Sequence, residues 1–185
     1  IMKIKILNYS FIFIISLVNT LSFPKDIPKT PAPNFYLKDL QGNSHFLNDY
    51  CGEKKAAYKK NEKNVVLISF FATWCLPCRE EYPIFYKLQS LYKNKQVKIF
   101  LIDVEEKEGI VRKYVEDFHI TLPVLLDSYG ITKEKYKVTN IPHMFLIDPE
   151  QYIVYEKNGF DVNFPLLEIL THKIDSLLIK HFSKE

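Results

Sequence analysis

The sequence VVLISFFATWCLPC at residues 65–78 decides the fold, because it joins an apolar run to a Cys-x-x-Cys pair. The run is rich in β-branched and aromatic residues, which predicts a strand that is buried on both faces. Apolar residues then recur at helical spacing over residues 79–92. Cys75 and Cys78 are therefore predicted to lie where a central strand becomes a helix.

Two cysteines at the start of a helix are suited to disulfide exchange. The unpaired N–H groups and partial positive charge of a helix N-terminus favour a thiolate, which is the nucleophile of that reaction. We expect Cys75 at the exposed tip and Cys78 one turn inside, close enough to form a disulfide. Pro77 is compatible with the first turn, because the N–H that proline lacks would have no partner there.

Cys-x-x-Cys also occurs as half of a structural zinc site, which needs two further ligands at suitable spacing. The only other cysteine is Cys51, and no His-x-x-x-His pair follows the motif. A coincidental pair of core cysteines is the other alternative. The agreement between the motif and its strand–helix context favours the redox interpretation.

Residues 71–83, FATWCLPCREEYP, resemble the active-site segment of thioredoxin-fold proteins. The resemblance is greatest to the TlpA/ResA-like (redoxin, AhpC-TSA) branch of bacterial envelope thiol–disulfide oxidoreductases. The Trp before the first cysteine, the Pro between the cysteines and the Pro five residues after the second all match. The resemblance implies an α/β thioredoxin-like fold, in which a central mixed sheet is flanked by helices and extended by an N-terminal β-hairpin.

The same resemblance implies roles for residues outside the cysteine pair. It places Ile141 and Pro142 opposite the cysteines, joined by a cis peptide bond, where the neighbouring backbone pairs with an incoming substrate chain. An ordinary trans proline at a loop end is the alternative. Trp74 and Pro77 are expected to shape the same docking surface. Glu81 matches an acid that assists proton movement at the dithiol, the alternative being a helix-start acid that suits the helix dipole.

His143 follows Pro142 at a position where family members more often have threonine. It could tune the thiolate or complete a copper site with Cys75 and Cys78 in a copper-binding or chaperone module. A strand residue without a chemical role is favoured. Ser69 stands where cytoplasmic thioredoxins carry a buried acid. A thiol peroxidase ranks lower, because the Thr-Pro-x-x pattern before its usual cysteine is absent.

The predicted activity is that of a protein-disulfide reductase, in which Cys75 attacks a substrate disulfide and Cys78 resolves the mixed disulfide. No cofactor is expected besides the redox-active Cys75–Cys78 pair. The resemblance implies disulfide-containing exported proteins as substrates, with cytochrome c apoproteins among them, and a membrane electron donor of the DsbD or CcdA kind. The chain is expected to be a monomer. Its formal charge of +3 is too small to indicate nucleic-acid binding.

Residues 1–22 are predicted to be a signal peptide or an N-terminal membrane anchor. A short basic start precedes an uncharged, mostly apolar stretch at residues 6–23, which is typical of a secretory signal. About 18 such residues can also just span a bilayer, so an uncleaved anchor is the alternative. Both interpretations predict an extracytoplasmic location, in the bacterial periplasm or cell envelope, where disulfides form.

The remaining pattern predicts a Pro-rich linker at 23–33 and one thioredoxin-like domain at 34–185. Two short strands around Gly42 form the expected hairpin. Residues 48–64 are polar and Lys-rich and are interpreted as an inserted loop or a loose helix at 53–60, with Cys51 as a free or buried thiol. Further strands are predicted at 97–104, 124–127, 144–148 and 152–155, and helices at 109–119, 131–136 and 164–182. Strands that alternate with helices indicate a sheet covered on both faces.

Overall fold

The computed structural model describes residues 30–53 and 63–183. The predicted signal or anchor segment, most of the predicted linker and the larger part of the predicted insertion lie outside these residues. Within the described ranges, none of the helices is both long enough and apolar enough to cross a membrane.

Eight strands and four helices follow one another along the described chain. The strands are β1 (Thr30–Pro31), β2 (Tyr36–Asp39), β3 (Ser44–Phe46), β4 (Val65–Phe71), β5 (Val97–Val104), β6 (Val124–Asp127), β7 (His143–Ile147) and β8 (Tyr152–Asn158). The helices are α1 (Leu76–Leu91), α2 (Glu108–Asp117), α3 (Ile131–Lys135) and α4 (Leu166–Phe182), and a short 3₁₀ turn covers Leu47–Asp49. Each strand and helix predicted within the described ranges is present, with ends that differ by a few residues, whereas the alternative helix at 53–60 lies mostly outside them.

All eight strands form one mixed sheet in the order β1-β8-β7-β4-β5-β6-β2-β3. The strand that precedes the cysteines, β4, lies between a parallel neighbour, β5, and an antiparallel neighbour, β7. All seven residues of β4 are buried, as the unbroken apolar run predicts. The α/β fold with a mixed sheet flanked by helices confirms the predicted fold class.

The N-terminal hairpin is part of the main sheet, because β2 pairs with β3 on one side and with β6 on the other. At the opposite edge, Thr30 and Pro31 pair with Ile153 and Tyr152 of β8. A proline is tolerated on such an edge strand, since it has no N–H to contribute to the ladder. The sheet therefore begins inside the range that the sequence analysis assigns to the linker.

Register brings two distant segments to the same end of the sheet. Phe70, the penultimate residue of β4, pairs with His143, the first residue of β7. Residues 72–75, which connect β4 to α1 and end at Cys75, form the cysteine loop. The residue before His143 is Pro142, so this proline enters the sheet beside the end of β4 from which the cysteine loop leaves. An aromatic cluster supports this junction, since the Phe70 ring contacts those of Tyr136 and Phe145 at centroid distances of 5.7 and 6.0 Å.

Candidate active site

The two cysteines lie at the start of α1 and are joined by a disulfide, with their Cα atoms 5.3 Å apart. Cys75 is the N-cap residue, and its backbone N–H donates to the Ala72 carbonyl oxygen at 3.0 Å. Its Sγ accepts a hydrogen bond from the Cys78 backbone N–H at 3.2 Å. The helix begins at Leu76, three residues before the predicted start, because Cys75 caps it and Pro77 fits its first turn.

The prediction that Cys75 lies at an exposed tip is wrong for this oxidised form, in which only 3% of the residue is exposed. The cause is the cap geometry, which turns the Cys75 sulfur back onto the first helical turn and toward Cys78. Its two neighbours are exposed instead, Trp74 by 73% and Leu76 by 58%. The disulfide therefore lies at the base of an apolar rim, to which the exposed Pro77 also belongs.

The position of Cys75 would stabilise a thiolate after reduction. The Cys78 N–H already points at the Cys75 sulfur, and it is one of the helix N–H groups without a partner in the helix. The partial positive charge of the helix N-terminus acts in the same direction. A helix N-terminus is one of the environments that lower a cysteine pKa and increase thiolate reactivity.

The peptide bond between Ile141 and Pro142 is cis, as the family resemblance implied. Pro142 is buried and Ile141 is half-buried. The pairing of Phe70 with His143 brings this peptide to the end of β4 from which the cysteine loop leaves. That the Ile141 and Pro142 backbone binds a substrate chain stays a prediction.

Glu81 is buried in the protein interior, with 1% of the residue exposed, three residues after Cys78. One carboxyl oxygen, Oε2, accepts from the Ser69 hydroxyl at 3.4 Å, and Oε1 has no hydrogen-bond partner among the described residues. Burial raises the pKa of Glu81 to about 8, although the Lys157 charge and the Ser69 hydrogen bond act in the opposite direction. This is not the environment of a solvent-exposed acid at a helix start. It is a buried carboxyl group on the helix that carries Cys78.

Glu81→Gln is expected to make the stability of the oxidised protein less dependent on pH. The folded protein retains the Glu81 proton up to about pH 8, whereas the unfolded chain loses it near 4.5. Between these values the folded state binds more protons, so its stability falls as the pH rises. The free energy of unfolding, measured with urea at about pH 5 and about pH 8, should fall by roughly 3 kcal/mol less in Glu81→Gln than in the wild type. Glu80→Gln, which changes an exposed neighbour, is the control. An equal fall in the free energy of unfolding for the wild type and Glu81→Gln would contradict the prediction.

His143 is buried, and its Nε2 lies 2.8 Å from Glu156 Oε1, while its ring stacks on Phe145. The two cysteine sulfurs are bonded to each other, so neither is a free thiolate ligand in this form. Among the described residues, the group of potential metal ligands whose atoms lie within 4.8 Å of one another is Asp148, Glu150 and His181. The copper site of Cys75, Cys78 and His143 stays a prediction.

The structure adds a contact that sequence reasoning missed, between Glu106 and the loop that carries the cysteines. Glu106 Oε2 accepts from the Thr73 backbone N–H at 2.6 Å, and Oε1 accepts from the Thr73 hydroxyl at 2.6 Å. Thr73 directly precedes Trp74 and Cys75. No local sequence signal points to this contact, because it depends on the parallel pairing of β4 with β5, which places the acids just after β5 near the end of β4.

Cys51, the third cysteine, is fully buried and free. Its Sγ lies 3.7 Å from the Leu47 carbonyl oxygen. Burial, together with the charges of Asp148 and Glu150, raises the pKa of the Cys51 thiol to about 12. Such a thiol is not nucleophilic at neutral pH, in agreement with the prediction of a buried thiol.

Comparison with known proteins gives consistent matches to this arrangement. The family model described as AhpC/TSA family matches residues 28–156. Thiol-disulfide oxidoreductase ResA of Bacillus thuringiensis subsp. konkukian (strain 97-27) is 32% identical over 139 residues, covering 75% of this chain and 74% of the relative. A solved thiol:disulfide interchange protein from Bacteroides sp. has a TM-score of 0.64 and 26% identity, over 84% of this chain and 95% of that one. The thioredoxin domain of a thiol-disulfide oxidoreductase from Bacteroides vulgatus has a TM-score of 0.65 and 25% identity, over 81% and 99%.

Proposed function

The chain belongs to the AhpC/TSA family and is a thiol–disulfide oxidoreductase, and we propose that it reduces disulfides of exported proteins through Cys75 and Cys78. The observation that carries the proposal is the Cys75–Cys78 disulfide at the N-terminus of α1. A disulfide that closes so short a loop, beside an exposed apolar rim, is placed for exchange with another protein.

The reaction has two steps that together move two electrons. The Cys75 thiolate attacks one sulfur of the substrate disulfide, which forms a mixed disulfide and expels the other substrate sulfur as a thiolate. Cys78, as a thiolate, then attacks Cys75 Sγ, which closes the Cys75–Cys78 disulfide and expels the second substrate sulfur. The substrate gains two electrons and two protons, and the Cys75–Cys78 dithiol loses both.

Buried Glu81 is suited to exchange the proton of the resolving cysteine. It is one helical turn beyond Cys78, and its Oε1 has no partner among the described residues. With a pKa of about 8, its carboxyl group can both donate and accept a proton near neutral pH. Its role in turnover is part of the proposal.

Substrate docking would use the surface around the disulfide. Trp74, Leu76 and Pro77 are exposed and apolar or aromatic, which suits an unfolded or extended client. The backbone at Ile141 would add main-chain hydrogen bonds to an extended substrate segment, as in strand addition. Recognition by main-chain contacts tolerates many client sequences.

The location and the partners of the enzyme are also proposals. The basic start and the apolar stretch at residues 6–23 support export, either with cleavage or as an anchored protein. In an oxidising compartment a reductase needs its own source of electrons. A membrane donor of the DsbD or CcdA kind would regenerate the dithiol, and cytochrome c apoproteins are candidate clients.

The reduction potential tests the proposed direction of electron flow. We expect the purified protein, equilibrated with dithiothreitol or glutathione buffers, to give a value at or below about −270 mV, in the range of thioredoxin. The reduced protein should then reduce insulin at a rate that depends on the protein concentration. A potential near −120 mV would identify an oxidant that makes disulfides and would overturn the reductase proposal.

A further inference from the structure

A buried acid lies beneath the loop that carries the cysteines and has no part in the reaction described above. Asp103, next to the last residue of β5, is fully buried. Neither of its carboxyl oxygens has a hydrogen-bond partner within residues 30–53 and 63–183. Native proteins seldom leave a buried polar group in this state, so Asp103 needs an explanation.

Asp103 interacts with Glu106, which holds the cysteine loop. The Glu106 carboxyl group accepts from both the N–H and the hydroxyl of Thr73, with 2.6 Å at each oxygen. A carboxylate can accept on both oxygens, whereas an amide has an NH2 donor in place of one oxygen and a protonated acid has an O–H donor there. The short distances are typical of charge-assisted bonds. Glu106 therefore holds Thr73 best as an ionised group.

Two ionised carboxyl groups side by side would repel each other at this depth. Burial, together with the neighbouring Glu106 and Asp127 carboxyl groups, raises the pKa of Asp103 to about 8, against the opposing effect of the Glu106 backbone N–H. A protonated Asp103 can donate a hydrogen bond to the Glu106 carboxyl group, whereas two ionised groups repel each other, and both effects favour the protonated form of Asp103. At neutral pH the stable arrangement is a protonated Asp103 beside an ionised Glu106.

The other titratable groups around this pair are on β6, α2 and α1. Asp127 at the end of β6 accepts hydrogen bonds from the Thr132 and Lys133 backbone N–H groups, one on each carboxyl oxygen. Both oxygens therefore act as acceptors. Tyr114 on α2 lies within electrostatic reach of Glu106 and of Arg79 on α1, and burial raises its pKa. Tyr114 therefore stays neutral while Asp103 titrates.

We propose that Asp103 is a positioning residue, whose neutral carboxyl group allows ionised Glu106 to hold Thr73 and so fixes the loop of Trp74 and Cys75. When Asp103 loses its proton, the half-exposed Glu106 moves away from the new charge and releases Thr73. The loop then loses its anchor two residues before the attacking cysteine. The consequence for catalysis rests on the proposed function, whereas the movement of the loop does not.

The loop contains its own probe, because Trp74 is the only tryptophan of the chain. Fluorescence of the oxidised protein, recorded from about pH 6 to about pH 9, avoids ionisation of the two bonded cysteines and stays about one unit below the ordinary tyrosine pKa of about 10. We expect a transition centred near pH 8 in the wild type. Asp103→Asn, which imitates the neutral carboxyl group, should lose that transition and keep the wild-type signal of neutral pH throughout.

Two variants separate this transition from other causes. Glu81 has a similar pKa, so Glu81→Gln must retain the transition if Asp103 is its source. Glu106→Gln should show the altered Trp74 signal already at neutral pH, because glutamine cannot accept on both sides. The proposal is overturned if the wild type has no transition, or if Asp103→Asn retains it.

A measurement on the wild type alone covers the case in which Asp103→Asn does not fold. The Thr73 amide resonance in NMR spectra should shift with an apparent pKa near 8, and a resonance that does not titrate there would contradict the proposal. In turnover, the KM for insulin should rise above pH 8 in the wild type and stay level in Asp103→Asn. An inactive chain whose Trp74 signal titrates as described would refute the proposed function and leave the loop proposal intact.

Discussion

Cys75→Ser is expected to lower the rate of insulin reduction by about 10³-fold or more, since it removes the nucleophile of the first step. The serine hydroxyl occupies the N-cap position equally well, and serine is among the preferred N-cap residues. The fold should therefore survive, and the loss should reflect chemistry alone. The measurement is the turbidity assay of insulin reduction, with circular dichroism to verify folding.

Cys78→Ser should fail differently, because it leaves the attacking cysteine in place. Its Cys75 should form a mixed disulfide with the substrate that is not resolved, visible as a covalent adduct in non-reducing gels and by mass spectrometry. Cys51→Ala is the matched control, since Cys51 is buried and free. This variant should reduce insulin like the wild type and accumulate no mixed disulfide. Activity of Cys75→Ser close to wild type, or an adduct through Cys51, would contradict the assignment of the two roles.

Phe70→Ala is expected to lower the free energy of unfolding by about 3–5 kcal/mol, as measured by urea denaturation. Phe70 is fully buried in the central strand, and its ring contacts the rings of Tyr136 and Phe145. Truncation removes buried apolar surface and these aromatic contacts, and it leaves a cavity. The residue also pairs with His143, so the cavity lies beside the junction of the cysteine loop and Pro142.

Tyr129→Ala is the control for this loss, because the Tyr129 side chain is 89% exposed. A surface substitution of this kind usually changes stability by about 0.5 kcal/mol or less. If Phe70→Ala and Tyr129→Ala had similar effects, the assignment of Phe70 to the core of the fold would be wrong. If the folded Phe70→Ala variant also reduced insulin more slowly than the wild type, the pairing of Phe70 with His143 would be shown to position the cysteine loop as well.

The sequence predicted most of the framework because its strands and helices have strong local signals. The apolar run of Val65–Phe71, interrupted only by Ser69, favours a strand in the middle of a sheet, and the structure places it there. The ends of elements were predicted less well, as at α1, whose start depends on the cap formed by Cys75. Such caps are formed by side-chain geometry that periodicity does not contain.

The site was predicted in part, and the difference lies in burial. Resemblance pointed to Glu81 and to a cis bond before Pro142, and the structure shows a buried carboxyl group and a cis peptide at these positions. Sequence alone left Glu81 undecided between a surface acid and a functional one, since the residues around it allow both. It also placed Cys75 at an exposed tip, because a motif does not reveal how a cap turns a sulfur inward.

Local sequence by itself determined the order of strands and helices, the position of the cysteine pair between them and the chemistry that such a pair performs. These properties depend on hydrophobic periodicity and on residues that are close along the chain. Tertiary structure alone decided which distant groups meet, such as Glu106 with Thr73 and Asp103 with Glu106. The parallel pairing of β4 with β5 brings them together, and burial then sets their protonation, which depends on the surrounding atoms and not on the residue type.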